Sequence, residues 1–175
     1  DRLIDQTDAT SCLLESGTRH QDDGRYSFFC HHPLLTFTAT GQQIECRYPN
    51  QAPKLKAGDP IALLRQLYQD ASSFSDAPLP HFGGGPVGFM SYDAFRLKEN
   101  CPNNNPDPLG FPDLYFTFYR DHITYDHQTH TVQLTTLIPA ADHPTVRARK
   151  AERQLTLLQM LLDFAKAPPT PQPKY

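Results

Sequence analysis

Apolar and polar positions alternate in short runs over the first third of the chain. Residues 11–15, 26–30, 34–39 and 44–48 read as strands, and Thr40-Gly41-Gln42-Gln43 is the turn of a hairpin between the last two. The period changes at Gly58-Asp59-Pro60. Asp59 is placed to cap a helix whose first position is Pro60, where the missing N–H costs nothing. Ile61, Leu64, Leu67, Tyr68 and Ala71 then recur at helical spacing and predict a stripe facing the sheet. A loop over 72–80 precedes a glycine-rich strand over 83–91, a short helical turn over 92–97 and an irregular stretch over 100–110. Strands return at 114–119, 122–126 and 131–138, with a tight connection at 126–130. From His143 to Lys166 the spacing of Ala151, Leu155, Leu158, Leu162 and Ala165 predicts an amphipathic helix, with Arg147, Arg149, Lys150, Glu152 and Arg153 opposite. Such a helix packs on its own sheet or docks on another domain, and the first is expected. The predicted class is α+β, a largely antiparallel β-sheet with a few packed helices.

At 175 residues the chain has the size of one domain. A net charge of -3 without a run of Lys or Arg gives no footprint for nucleic acid or for an anionic membrane surface. No apolar stretch approaches the roughly 20 residues of a membrane span, and the first residues lack the core of a signal peptide, so a cytoplasmic protein is expected. Cys12, Cys30, Cys46 and Cys101 form no Cys-x-x-Cys pair and read as buried free thiols. Prolines crowd residues 167–173, which reads as a stiff spacer. The expected organisation is a domain over 1–166 and a linker over 167–175 leading to a domain outside this sequence. The alternative is a natural, frayed C-terminus.

Candidate chemistry begins where the first strand ends. Leu13-Leu14-Glu15-Ser16-Gly17 is followed by Gly24-Arg25-Tyr26-Ser27-Phe28-Phe29, an apolar strand that breaks into a polar loop and resumes. Strand geometry sends Leu13 and Glu15 to one face and Leu14 to the other. A carboxylate at such an end can hold an ammonium group, leaving the Ser16 hydroxyl and loop N–H groups for a ligand carboxylate, a pattern that suits an amino acid. The alternative is a solvated Glu15 and a turn-forming Ser16. Gly83-Gly84-Gly85-Pro86-Val87-Gly88 lacks the Lys-Ser or Lys-Thr of a phosphate loop, and glycine within a strand points instead to close backbone packing. The spacing of His31-His32, His122, His127 and His130 argues against a metal site, and no nucleophile has an evident activating partner.

Four segments resemble, in order, the N-terminal domain of anthranilate synthase component I and of its relative aminodeoxychorismate synthase component I. They are Leu13 to Gly17; Gly24 to Phe29 with Pro33 shortly after; Phe82-Gly83-Gly84-Gly85-Pro86-Val87-Gly88-Phe89-Met90-Ser91-Tyr92-Asp93; and Phe111-Pro112-Asp113-Leu114-Tyr115-Phe116 leading to Tyr125-Asp126-His127. The resemblance implies a non-catalytic, regulatory and domain-packing part of a lyase that makes anthranilate and pyruvate from chorismate and glutamine-derived ammonia. It further implies that the chorismate and Mg2+ sites lie in a chorismate-binding domain outside these residues, so no catalytic residue, metal ligand or cofactor is carried over. A glutamine amidotransferase subunit is the implied partner. What is carried over is a tryptophan feedback pocket, with Leu14, Glu15 and Ser16 at its first element and Tyr26 and Ser27 at its second. Glu15 would face the ammonium, Ser16 and Ser27 would be polar contacts, and Leu14 and Tyr26 would lie against the indole. The non-enzyme alternative is a free-standing amino-acid-sensing module.

Overall fold

Two long strands, β2 (Tyr26–Thr40) and β6 (Leu114–Asp126), run antiparallel to each other, and the remaining strands attach to their flanks. The computed structural model describes residues 11–15, 24–72, 85–102, 106–137 and 143–166. Besides β2 and β6 these contain β1 (Cys12–Leu14), β3 (Gln43–Arg47), β4 (Lys54–Ala57), α1 (Pro60–Ser72), β5 (Pro86–Met90), a 3-10 helix (Tyr92–Leu97), β7 (Thr131–Thr136) and α2 (Pro144–Lys166). The strands form one antiparallel sheet in the order β4-β3-β2-β6-β5, with β1 on β2 and β7 on β6. The expected α+β class with a largely antiparallel sheet is what the chain adopts. Two compact units divide it, residues 1–137 and 138–175.

The strands predicted at 26–30 and 34–39 are one strand, and so are those at 114–119 and 122–126. His31-His32-Pro33 and Arg120-Asp121 looked like interruptions because polar residues and proline fit a half-apolar strand poorly. In the fold these polar groups face one another across the ladder, His31 opposite Asp121 and Pro33 opposite Tyr119. The register then shifts by one, with Leu35 opposite Phe118, so β2 carries one residue more than β6 between Pro33 and Leu35. His32, just before the shift, has a left-handed backbone with φ of 55°.

The bulge decides which residues of β2 meet the core. Leu35, Phe37 and Ala39 are buried with Ile44 and Cys46 of β3 and Leu114 and Phe118 of β6. Ile61, Leu64 and Leu67 of α1 pack on this cluster, as the helical stripe predicts, while Tyr68 is about half exposed. Each fully buried Leu or Phe contributes roughly 1.5–3 kcal/mol. Helix α1 starts where expected, because Asp59 Oδ1 accepts from the N–H groups of Ile61 at 2.9 Å and Ala62 at 3.1 Å. The β2–β3 hairpin turns through Gly41, φ 55°, whose N–H donates to Asp113 Oδ2 at 2.7 Å. Strand β4 was not foreseen. Its Lys-Leu-Lys-Ala sequence is exposed throughout, as lysines on a sheet edge commonly are, so it carries no apolar alternation to read.

Pro86 opens β5 at the opposite edge of the ordered path, where a missing N–H is harmless. Two residues on, Gly88 lies opposite Phe116 and against the Tyr115–Phe116 backbone; a Cβ added there would sit 2.7 Å from Phe116 Cα. The close backbone approach expected of this glycine-rich stretch is therefore present, at Gly88; Gly83 and Gly84 lie outside the described residues. Ser91 is the N-cap of the 3-10 helix, and within it Asp93 pairs with Arg96 at 3.1 Å. Cys30 and Cys46 are buried free thiols as expected, Cys12 is half-buried and Cys101 is exposed.

In the second unit, α2 begins at a turn in which the His143 carbonyl accepts from Val146 N–H at 2.9 Å and Arg147 N–H at 3.1 Å. Within the helix the Thr156 hydroxyl donates to the Glu152 carbonyl, and Gln159 to Asp163 at 2.9 Å.

Gly88→Ala forces the new methyl into β6 backbone that has no side-chain freedom to yield. The variant is expected to lose about 2 kcal/mol or more of stability. Equilibrium urea unfolding checks this, and an unchanged midpoint would contradict the close approach.

Candidate functional site

The pairing of β1 with β2 builds one corner of the sheet. Cys12 lies opposite Cys30, Leu13 opposite Phe29 and Leu14 opposite Phe28, and Glu15 follows the last paired residue at the strand end. Alternation of side chains along the strands assigns Leu14, Phe28 and Tyr26 to one face and Glu15, Ser27 and Phe29 to the other. Leu14 is about two-fifths exposed, Tyr26 and Ser27 are half-buried, and Glu15 is exposed. The Tyr26 and Phe28 rings lie 6.0 Å apart, an apolar strip continuous with Leu14.

Residues from the β6–β7 turn complete the corner. Ser27 Oγ is 2.7 Å from His127 Nε2, and His127 N–H donates to the Arg25 carbonyl at 2.8 Å. The Arg25 guanidinium forks onto Asp126, with Nη2 donating to Oδ2 at 2.8 Å and Nε lying 3.2 Å from each carboxylate oxygen. Asp126 Oδ1 also accepts from the N–H groups of Gln128 at 2.8 Å and Thr129 at 3.2 Å. The Arg25 hydrogen bonds, followed by these turn N–H groups, hold the Asp126 carboxyl far below the usual carboxylate range. The same guanidinium lies 4.9 Å from the centre of the Tyr26 ring. Tyr125 stands edge-on to His127 at 4.7 Å and meets His130 Nδ1 through its hydroxyl at 3.1 Å.

Of the residues predicted from sequence, the fold thus brings Leu14, Glu15, Tyr26 and Ser27 to one end of the sheet but divides them between its faces. Leu14 and Tyr26 share one face, and Glu15 and Ser27 the other. Any single ligand touching all four must straddle the strand end. Ser16 lies outside the described residues. Sequence reading missed Arg25, Asp126 and His127 as parts of this corner. An Asp followed by two residues whose N–H groups it can accept was a visible turn signal, but nothing local ties that turn to Ser27, 100 residues away.

Further along the same strands, His122 is buried, with Nδ1 3.4 Å from Cys30 Sγ. Burial lowers the His122 pKa and pushes the Cys30 thiol up to about 12, so the thiolate is not an available nucleophile. The spacing argument about histidines also did not foresee that His31 and His32 lie beside Asp121. A separate cleft of about 540 Å3, lined in part by Thr38, Thr40, Gln43, Glu45 and Leu55, contains none of the predicted residues. Among the described residues no helix is long and apolar enough to cross a membrane.

The fold is similar to that of a solved protein. The crystal structure of anthranilate synthase component I from Streptococcus pneumoniae superposes with a TM-score of 0.59 at 20% identity, covering 91% of this chain and 34% of that one. A family model described as chorismate binding enzyme matches residues 10–175, and the chain belongs to that family. Anthranilate synthase component 1 of Cereibacter sphaeroides is 32% identical over 163 residues, which is 90% of this chain and 32% of the relative. Aminodeoxychorismate synthase component 1 of Bacillus subtilis is 30% identical over 140 residues, 80% of this chain and 29% of the relative. The chain spans about a third of the length of these relatives.

His122 sets an expected pH dependence. Its folded pKa lies below the ordinary value of 6.5, so the unfolded chain binds a proton that the fold excludes, and stability falls as pH drops below about 6.5. Asp126 is depressed from 3.8, and its contribution is present above that value and lost as pH falls through its folded pKa. Thermal melts of His122→Gln are expected to flatten the limb between pH 7 and 5 and to keep the limb below about pH 4. An unaltered upper limb would assign it to another group.

Proposed function

We propose that the chain is the N-terminal, regulatory and domain-packing part of an anthranilate synthase component I. The parent enzyme takes chorismate and glutamine-derived ammonia to anthranilate and pyruvate, and an amidotransferase subunit supplies the ammonia. Chorismate and Mg2+ are bound by a chorismate-binding domain outside these residues. The reading is supported by the run of resemblances along the chain and by relatives that are component 1 of their synthases. A domain-packing role is further supported by aromatic and apolar side chains left open on the β5 side of the sheet. Phe89, Met90, Tyr92 and Phe111 are exposed by 43%, 57%, 90% and 61%. Surfaces of this kind mark contacts with another protein surface.

The feedback pocket belongs to the same proposal, with Leu14, Glu15, Ser16, Tyr26 and Ser27 as its residues and tryptophan as its ligand. The observation that carries it is the β1–β2 register, which draws residues distant in sequence to one strand end. An amino acid seated there meets the Tyr26 and Leu14 strip with its side chain and reaches around the strand end to Glu15 with its ammonium group. Binding that favours a less active arrangement of the two domains lowers activity by no more than the ligand's preference between arrangements.

In the full-length enzyme, Glu15→Ala with Ser16→Ala is expected to raise the tryptophan concentration for half-inhibition at least ten-fold while leaving the uninhibited rate within two-fold. Unchanged inhibition would remove these residues from the site. The 30% identity to an aminodeoxychorismate synthase component favours a second reading, the same domain in that enzyme. Product analysis separates the two. Pyruvate released in step with an aromatic amine indicates anthranilate synthase, and aminated chorismate without pyruvate indicates the alternative.

A further inference from the structure

At the bulge of β2 two consecutive histidines and a buried carboxylate converge. In a regular strand neighbouring side chains leave on opposite faces. At His32 the left-handed backbone breaks that alternation, and the His31 and His32 rings come within 4.4 Å of each other, centre to centre. Asp121 of β6 lies directly opposite His31 in the ladder, and its Oδ2 is 2.8 Å from His32 Nδ1. One ligating atom from each of His31, His32 and Asp121 lies within 4.8 Å of the others.

We propose that His31, His32 and Asp121 form a binding site for a divalent first-row transition-metal ion of the zinc class. Two imidazole nitrogens and one carboxylate oxygen are a donor set that suits Zn2+, Co2+ or Fe2+, whereas Mg2+ takes mainly oxygen ligands. The supporting groups are also present. The Thr136 hydroxyl donates to Asp121 Oδ1, and Arg120 Nε and Nη2 hold Oδ2 at 3.2 and 3.1 Å, fixing the carboxylate as outer partners commonly fix a metal ligand. The Phe29 ring stacks on His31 at 5.6 Å and sets its orientation. The His32 side chain is 39% exposed although its Nδ1 is buried, and Asp121 is almost wholly buried, so an ion enters as the His32 ring turns outward.

The step is an exchange of cations. The ion enters between His32 Nδ1 and Asp121, any proton on the coordinating nitrogen leaves to solvent, and no bond within the protein breaks. Arg120 places a like charge beside the ion and weakens its binding. The affinity expected is therefore micromolar, below that of closed structural zinc sites. The ion would join β2 to β6 at the point where their register changes.

The test is calorimetric titration of Zn2+ into chelator-treated protein, with Co2+ absorption in the visible range as the second readout. One equivalent is expected to bind. His32→Asn keeps a residue that tolerates the left-handed backbone while removing the imidazole, and it is expected to weaken binding at least ten-fold and to abolish the Co2+ bands. His31→Gln should do the same, and His130→Ala should change neither. Circular dichroism confirms that each variant is folded. Absence of binding at 1 mM Zn2+, equal affinity in His32→Asn, or loss confined to His130→Ala would overturn the proposal.

Discussion

The pairing of β2 with β6 is the constraint on which the remaining structure rests. It joins residues 75 (Ala39 with Leu114) to 100 (Tyr26 with Asp126) positions apart in sequence, and every other strand of the sheet is positioned by one of these two or by a strand already attached to them. One half of the pairing carries β3, β5 and the core beneath α1. The other carries β1, β7 and the corner around Ser27. Such distant segments must meet before their contacts can reward the loop closure, which places the sheet among slowly forming topologies.

Between the halves the pair is polar where a strand interior is usually apolar. Asp121 is nearly inaccessible yet charged. Burial works to raise its pKa, and the Thr136 hydroxyl and Arg120 outweigh that cost, leaving it below the ordinary value. The neighbouring His122 has the opposite fate, because burial dominates and the ring stays neutral. Two adjacent residues on opposite faces of one strand thus settle in different charge states according to the partners each face provides.

Local chemistry was legible in the sequence wherever it decided the structure. Asp59-Pro60, Gly41 and the Ile61, Leu64, Leu67 stripe state their roles through capping, turn geometry and periodicity. The continuity of β2 and β6 was not legible, since His31-His32-Pro33 is compatible with a strand only when Arg120-Asp121 lies across from it. The corner was half legible. Glu15 and Ser27 could be named from the strand breaks beside them, but Arg25, Asp126 and His127 owe their place to a pairing between opposite ends of the unit. β4 stayed hidden because an exposed edge strand has no buried face to impose alternation.

The unmatched residue in β2 reverses the parity of the strand. Even-numbered Tyr26, Phe28 and Cys30 share a face with odd-numbered Leu35, Phe37 and Ala39, because their β6 partners Asp126 to Leu114 keep a single even-numbered series. Pairing every residue of β2 one to one with β6 would turn either the aromatic corner or the apolar core over to the wrong side, whereas removing Leu34 itself would leave a regular ladder with both on their present face. A single-residue gap is thus compatible with the register at the bulge and incompatible with it elsewhere in the paired strand, and the irregularity lets two halves of opposite parity serve one face.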